Sequence, residues 1–241
     1  MAKKKNKKNK KKKQILTPGV KLFLVVLLIP ASITMYFFVF LAWQELKTFS
    51  IFEKLLYKSE LEEIQADFDL QIPEEYIPIY IAASEKYNVP WTLLAAHHRV
   101  ETRFSSMKTL VSPVGAEGHL QFMPCTFVGW SHPTCSGKGK GEINENEKTD
   151  PAVIKKYGGY GIDANGDGIA DPYDIEDAVY SAANYLSKAG VSEGKLKKAI
   201  FSYNHSDEYV EDILHYYKLY ESVSDEIEYV VLAKREDDHI R

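Results

Sequence analysis

One stretch constrains this chain more than any other. From Leu22 to Trp43 there is no charged side chain, and most positions are Leu, Val, Ile or Phe. A helix of that length, at ~1.5 Å per residue, crosses the ~30 Å of hydrocarbon in a bilayer. Pro30 falls inside the run and predicts a kink that a spanning helix tolerates. Residues 1–21 carry ten lysines and no acid, and such an excess of positive charge stays on the cytoplasmic side. The sequence therefore reads as a basic cytoplasmic tail (1–21), one transmembrane helix (22–43) and an extracytoplasmic remainder. A cleaved secretory signal is the alternative. Its apolar part is normally ~7–15 residues and ends in a small-x-small site, whereas this run is longer and ends Leu41-Ala42-Trp43-Gln44.

The tail also hides the charge of the rest. The whole chain holds 30 basic and 34 acidic residues, net −4; without the ten tail lysines the balance is 20 against 34, net −14. Nucleic-acid binders keep positive charge on the folded domain, so no nucleic-acid partner is expected. The two cysteines are too few for a disulfide scaffold, and no CxxC or HExxH pattern is present.

Beyond the span the chain reads as short helices and loops. Residues 44–72 form a stalk with scattered apolar positions. A helix fits 78–87. Another starts after Pro90, with Leu93, His97, Val100 and Phe104 on one face. Residues 105–173 read as loops with one short helix near 151–157. Asp174 is an N-cap for a helix ended by Gly190, and helices fit 193–203 and 207–222. No alternating strand ladder appears, so the fold class is mainly α. The domain is placed at 73–222, with a C-terminal tail at 223–241.

The chemistry gathers around Glu101. Leu94, His97 and His98 lie 7, 4 and 3 positions before it, and no Lys or Arg stands at i±3 or i±4. An unpaired acid on a buried face has a raised pKa and can act as a general acid near neutral pH. The plainer alternative is a Glu at the edge of an amphipathic helix.

Glu101-Thr102 is followed by Gly115-Ala116-Glu117-Gly118, by Gln121-Phe122-Met123-Pro124 with Thr126, and later by Tyr203-Asn204-His205-Ser206. In that order the motifs resemble the lytic transglycosylases of the soluble lytic transglycosylase-like superfamily, over roughly 76–220. There are departures: Thr102 stands for the usual Ser, His119-Leu120 for Leu-Met, and Ser202 precedes Tyr-Asn where Ala is common. The resemblance implies a lysozyme-like domain anchored to the cell membrane and facing the wall. It implies non-hydrolytic cleavage of the β-1,4 MurNAc–GlcNAc bond of peptidoglycan glycan strands, giving 1,6-anhydro ends, with no cofactor in catalysis. Glu101 would be the catalytic acid and then base. Thr102, Gln121, Met123, Tyr203 and Asn204 would bind substrate, with Tyr203 also orienting Glu101. Two rivals stay open. One is a hydrolytic muramidase of goose-type lysozyme character, with Glu117 or Asp150 as its second carboxylate. The other is a catalytically idle cell-wall-binding module.

A second constellation runs from Asp163 to Asp174. Asp163, Asn165, Asp167, Asp171 and Asp174 occupy positions 1, 3, 5, 9 and 12 of a twelve-residue loop, with Gly168 at 6 and the Ile169 carbonyl at 7. This is the EF-hand pattern and predicts a structural Ca2+. An Asn/Asp/Gly turn capping the next helix is the alternative. Cys125 and Cys135 both lie outside the membrane, where disulfides persist, and are expected to pair, with two free thiols as the other reading. His97, His98, His119 and His132 show no complete metal-ligand spacing and read as core or groove histidines.

Overall fold

The structure is a computed structural model that describes residues 17–47, 58–59, 62–64, 66 and 71–239. The lysine run up to residue 13 and most of the 44–72 stalk lie outside the described residues. The chain divides into two units, residues 1–56 and 57–241.

Among its described residues the first unit holds one helix, α1 (Pro18–Lys47), with Pro30 inside it. Over Pro18–Gln44 it is long and apolar enough to cross a membrane. Over residues 18–44 its side chains are exposed, including Phe23, Leu27, Phe38 and Trp43.

The second unit is helical, and among the described residues it contains no strand; two isolated bridges join Val111 to Glu117 and Glu117 to Phe122. From residue 77 on, its α-helices are α2 (Ile77–Tyr87), α3 (Trp91–Thr102), α4 (Pro124–Val128), α5 (Glu145–Lys148), α6 (Pro151–Tyr157), α7 (Ile175–Lys188), α8 (Leu196–Tyr203), α9 (Asp207–Glu221) and α10 (Ser224–His239). The predicted mainly α class holds. The 105–173 region has three short helices where one was expected, because Pro124 and Glu145 each open a turn of their own. Residues 223–241 are not a loose tail: α10 runs to His239, and Val223 just before it is buried together with Ile227, Val230 and Val231 of the helix. The Trp91 indole N–H donates to Glu228 on α10.

α3 is the central element. Trp91, Leu93, Leu94, Ala95, Ala96, His97, His98 and Thr102 are all buried, as expected of a helix covered on most sides. It packs on α2 and α9, and α7 packs on α2. Local chemistry sets the ends of these elements. Asn88 ends α2 in the left-handed region, at φ 53°. The Asp150 side chain caps α6, Asp174 caps α7 and Ser206 caps α9.

Candidate functional site

Glu101 stands one residue before the end of α3 and is partly buried. The Tyr209 hydroxyl of α9 donates to its Oε1 at 2.6 Å. Burial pushes the Glu101 carboxyl up to about 7, and the Tyr209 hydrogen bond pulls weakly the other way. At neutral pH the group can therefore both give and take a proton. Tyr203 and Tyr209 stack with an interplanar angle of 8°. Burial, and after it the Glu101 charge, hold both phenols well above their ordinary pKa, so each is a neutral donor.

His97 packs against the two tyrosines beside Glu101. It is fully buried, its Nδ1 is hydrogen-bonded to the Leu93 carbonyl at 2.9 Å, and its ring lies edge-on to Tyr203 and Tyr209. Burial lowers its pKa to about 4. Because a carbonyl only accepts, Nδ1 carries the proton and Nε2 the lone pair. That Nε2 is buried without a hydrogen-bond partner.

Of the other predicted site residues, only Tyr203 is brought beside Glu101. Tyr203 lies beside Glu101, but its hydroxyl donates to the Leu120 carbonyl at 2.8 Å; Tyr209, which the sequence did not single out, is the residue that holds the carboxyl. Thr102 is fully buried, and its hydroxyl donates to the His119 carbonyl at 2.8 Å and accepts from Ser105 N. Gln121, at φ 50°, uses its amide N–H groups on the carbonyls of Leu110 and Gly118. Met123 precedes α4 as its N-cap residue, and Asn204 is exposed at the end of α8. Neither proposed second carboxylate is free. Glu117 is paired with Lys148 at 2.8 Å, and Asp150 is spent on the amides of Ala152 and Val153.

Cys125 and Cys135 are bonded, with Cα atoms 5.6 Å apart. His132 is buried beside this loop, with Nδ1 on the Thr134 hydroxyl and its ring against Tyr157.

In the 163–174 loop the acidic side chains turn onto the backbone. Asp163 accepts from Gly166 N and Gly168 N, Asn165 from Asp167 N, Asp167 from Ile169 N, and Asp171 from Tyr173 N. Asp174 accepts from Glu176 N and Asp177 N as the cap of α7. The anchor of the loop is a residue the pattern did not include. Asp177 is fully buried and accepts from the amides of Ala164, Asn165 and Asp171. Among the described residues no three His, Cys, Asp or Glu side chains group as a metal cluster.

One similarity to a known protein bears on this geometry. The chain is 30% identical over 136 residues to the L-Ala--D-Glu endopeptidase of Bacillus subtilis (strain 168). The match covers 56% of this chain, and the chain spans 38% of that relative's length. No family model and no solved structure matches.

This corrects the reading taken from the motifs. The relative is a peptidase, which hydrolyses an amide bond, so the expected lytic transglycosylase, a carbon–oxygen lyase, is overturned. The muramidase alternative falls with it, in keeping with Glu117 and Asp150 being spent elsewhere. The short motifs misled because a half-buried Glu, a Gln turn and a Tyr-Asn pair in a helical domain do not by themselves name the bond that is cut.

Proposed function

We propose that this chain is a membrane-anchored cell-wall hydrolase that cleaves a peptide bond of the L-Ala–D-Glu type, with peptidoglycan peptide as substrate. The similarity to an L-Ala--D-Glu endopeptidase carries the reading. Glu101 gives it a chemical centre. Amide hydrolysis needs a proton delivered to the leaving nitrogen, and a carboxyl with a pKa of about 7 is a suitable donor at neutral pH. Tyr209 fixes the direction of that carboxyl.

The reading places α1 in the membrane as an uncleaved anchor, the lysine tail in the cytoplasm and the second unit outside. It is supported by the uncharged span and the ten lysines before it. Protease added to wall-stripped cells should remove the second unit, and its full protection would sink this topology.

The 163–174 loop is proposed to hold Ca2+ as a structural ion. The supporting observation is that Asp163, Asn165 and Asp167 already fold inward onto backbone amides. The Ile169 carbonyl, Asp171 and Asp174 would complete the set.

The deciding experiment incubates the full-length, detergent-solubilised protein with purified peptidoglycan. New amino termini are then identified by dinitrophenylation and mass spectrometry. New D-Glu amino termini, absent with Glu101→Gln, are the expected result. Peptidoglycan left without new amino groups would overturn the reading.

A further inference from the structure

Immediately after α3 the backbone does something unusual. Arg103, Phe104 and Ser105 have φ of 52°, 55° and 65°, three successive non-glycine residues in the left-handed region. Each costs roughly 1 kcal/mol or more, and such residues normally occur singly. Strain of this kind persists only where the surroundings enforce it, and it clusters at functional sites. Here two contacts enforce it. The Phe104 ring is buried against His98 at 5.5 Å, and Ser105 N donates to the Thr102 hydroxyl. The result is to swing the Ser105 hydroxyl back beneath α3.

There the hydroxyl lies between two imidazoles. His98 Nε2 is 2.6 Å from Ser105 Oγ, and His119 Nδ1 is 2.5 Å from it. The chain continues at both ends, from His98 Nδ1 to the Tyr80 hydroxyl at 2.6 Å and from His119 Nε2 to the Tyr173 carbonyl at 2.8 Å. Gly118 makes the second end possible. A Cβ there would sit 1.9 Å from the Pro172 carbonyl oxygen, so only glycine lets the 118–119 backbone close on 172–173.

The direction of every proton in this chain is determined. The Tyr173 carbonyl can only accept, so His119 Nε2 donates and His119 Nδ1 carries the lone pair. Ser105 must then donate its one proton to His119. His98 Nε2 therefore donates to Ser105 Oγ, and His98 Nδ1 accepts from Tyr80. A serine hydroxyl that donates to an imidazole lone pair, while the same imidazole is oriented by a further acceptor, has the hydrogen-bonding of an activated nucleophile. The donor on its other side, His98 Nε2, occupies one Oγ lone pair and so holds the hydroxyl with its proton on His119. Ser105 and His119 are only partly buried, while His98 and Tyr80 are core residues. No hydrogen bond among the described residues links this chain to the Glu101–Tyr209 pair.

We propose that Ser105 is a second reactive centre of this protein, a nucleophile that accepts the acyl group of a carboxylic ester, with His119 as its base and His98 fixing the direction of the hydroxyl. Ser105 Oγ bonds to the ester carbonyl carbon as its proton passes to His119 Nδ1. The carbon–oxygen bond to the alcohol breaks, and the alcohol leaves with that proton. Water then attacks the acyl-serine, again losing a proton through His119. The serine–acyl bond breaks, and Oγ recovers the proton as the acid is released.

The test treats the full-length protein with a fluorophosphonate, which bonds phosphorus to an activated serine Oγ and releases fluoride. Labelling is read by intact mass and peptide mapping, and p-nitrophenyl acetate cleavage is followed in parallel. Ser105 should carry the label ahead of the protein's other serines. Ser105→Ala should abolish both the label and the p-nitrophenol release, and His119→Gln should slow labelling at least about 10-fold. No label at Ser105 in the wild-type protein, which requires no variant to fold, would overturn the proposal. A rate unchanged in a folded His119→Gln would do the same. Neither readout uses peptidoglycan, so labelling without new amino groups would sink the endopeptidase reading alone, and the converse result would sink this one alone.

Discussion

Glu101 and Asp177 are both drawn out of water by the same helical domain, and the protein treats them in opposite ways. Asp177 receives three backbone N–H donors, from Ala164, Asn165 and Asp171, and so ties the loop to the first turn of α7. Glu101 is given one phenol, Tyr209, among aromatic rings. Burial raises both pKa values, to about 7 for Glu101; at Asp177 the backbone amides of Asp171, Ala164 and Asn165 oppose the rise. A buried carboxylate with many donors is a structural anchor, and one with few is a proton carrier. The number of donors facing the group distinguishes them, since burial alone does not.

The contrast can be broken most forcefully at Asp177. Asp177→Ala leaves three loop amides without their acceptor, at ~1–3 kcal/mol each where water cannot replace it. A loss of roughly 3 kcal/mol or more in urea unfolding is expected. A loss below about 1 kcal/mol would show that the loop does not depend on its anchor.

Glu101→Gln should do the reverse, keeping the fold and removing at least about 100-fold of the peptide-cleaving rate, about 2.7 kcal/mol of transition-state stabilisation. Its stability should also change with pH in a defined direction. The folded pKa of about 7 lies above the ordinary 4.5. Between these values the native state holds the proton more tightly than the unfolded chain does. The resulting contribution is full below about 4.5 and is lost as pH rises through 7. The amide carries no such loss, so the gap in melting temperature between Glu101→Gln and wild type should widen in favour of the variant from pH 5 to pH 8. A constant gap would mean that Glu101 titrates normally.

Tyr209→Phe sharpens the same point on a smaller scale. Removing the one donor that favours the carboxylate should move the Glu101 pKa further up and shift the pH–rate profile in the alkaline direction. The loss near neutral pH should be about 10-fold. An unmoved profile would deny Tyr209 its role.

The smallest effect is expected from calcium. An ion bound only by the folded loop, at several times its Kd, adds about 1 kcal/mol. Melting midpoints in Ca2+ and in chelator should differ by a few degrees, and Asp163→Ala should remove the difference. Identical midpoints would leave the loop as a turn held by Asp177.

Parts of both regions were legible without coordinates. The N-cap Asp174 and the helices that begin near residues 151 and 175 follow from local chemistry and stand where the sequence predicts them, whereas the cap that Asp150 makes for α6 is seen only in the structure. Glu101 stood out because nothing at helical spacing could pair with it. Its partner Tyr209 did not, because 108 residues separate the two and only the packing of α9 on α3 brings them together. Asp177 was missed for a different reason: the twelve-residue pattern ends at Asp174, and the true anchor lies one helical turn beyond it.

The sequence by itself determined what depends on near neighbours and composition. That includes a span long and apolar enough for a membrane, a helical class without a strand ladder, the caps, and an acid with no local counter-charge. The tertiary structure alone decided what depends on chain segments far apart. It placed Tyr209 on Glu101 and turned Ser105 between His98 and His119. It also folded residues 223–231 into the core. Hydrogen-bond partners across such distances are selected by which faces of which helices meet, and helical periodicity says which face of an element is apolar but not which other element will cover it.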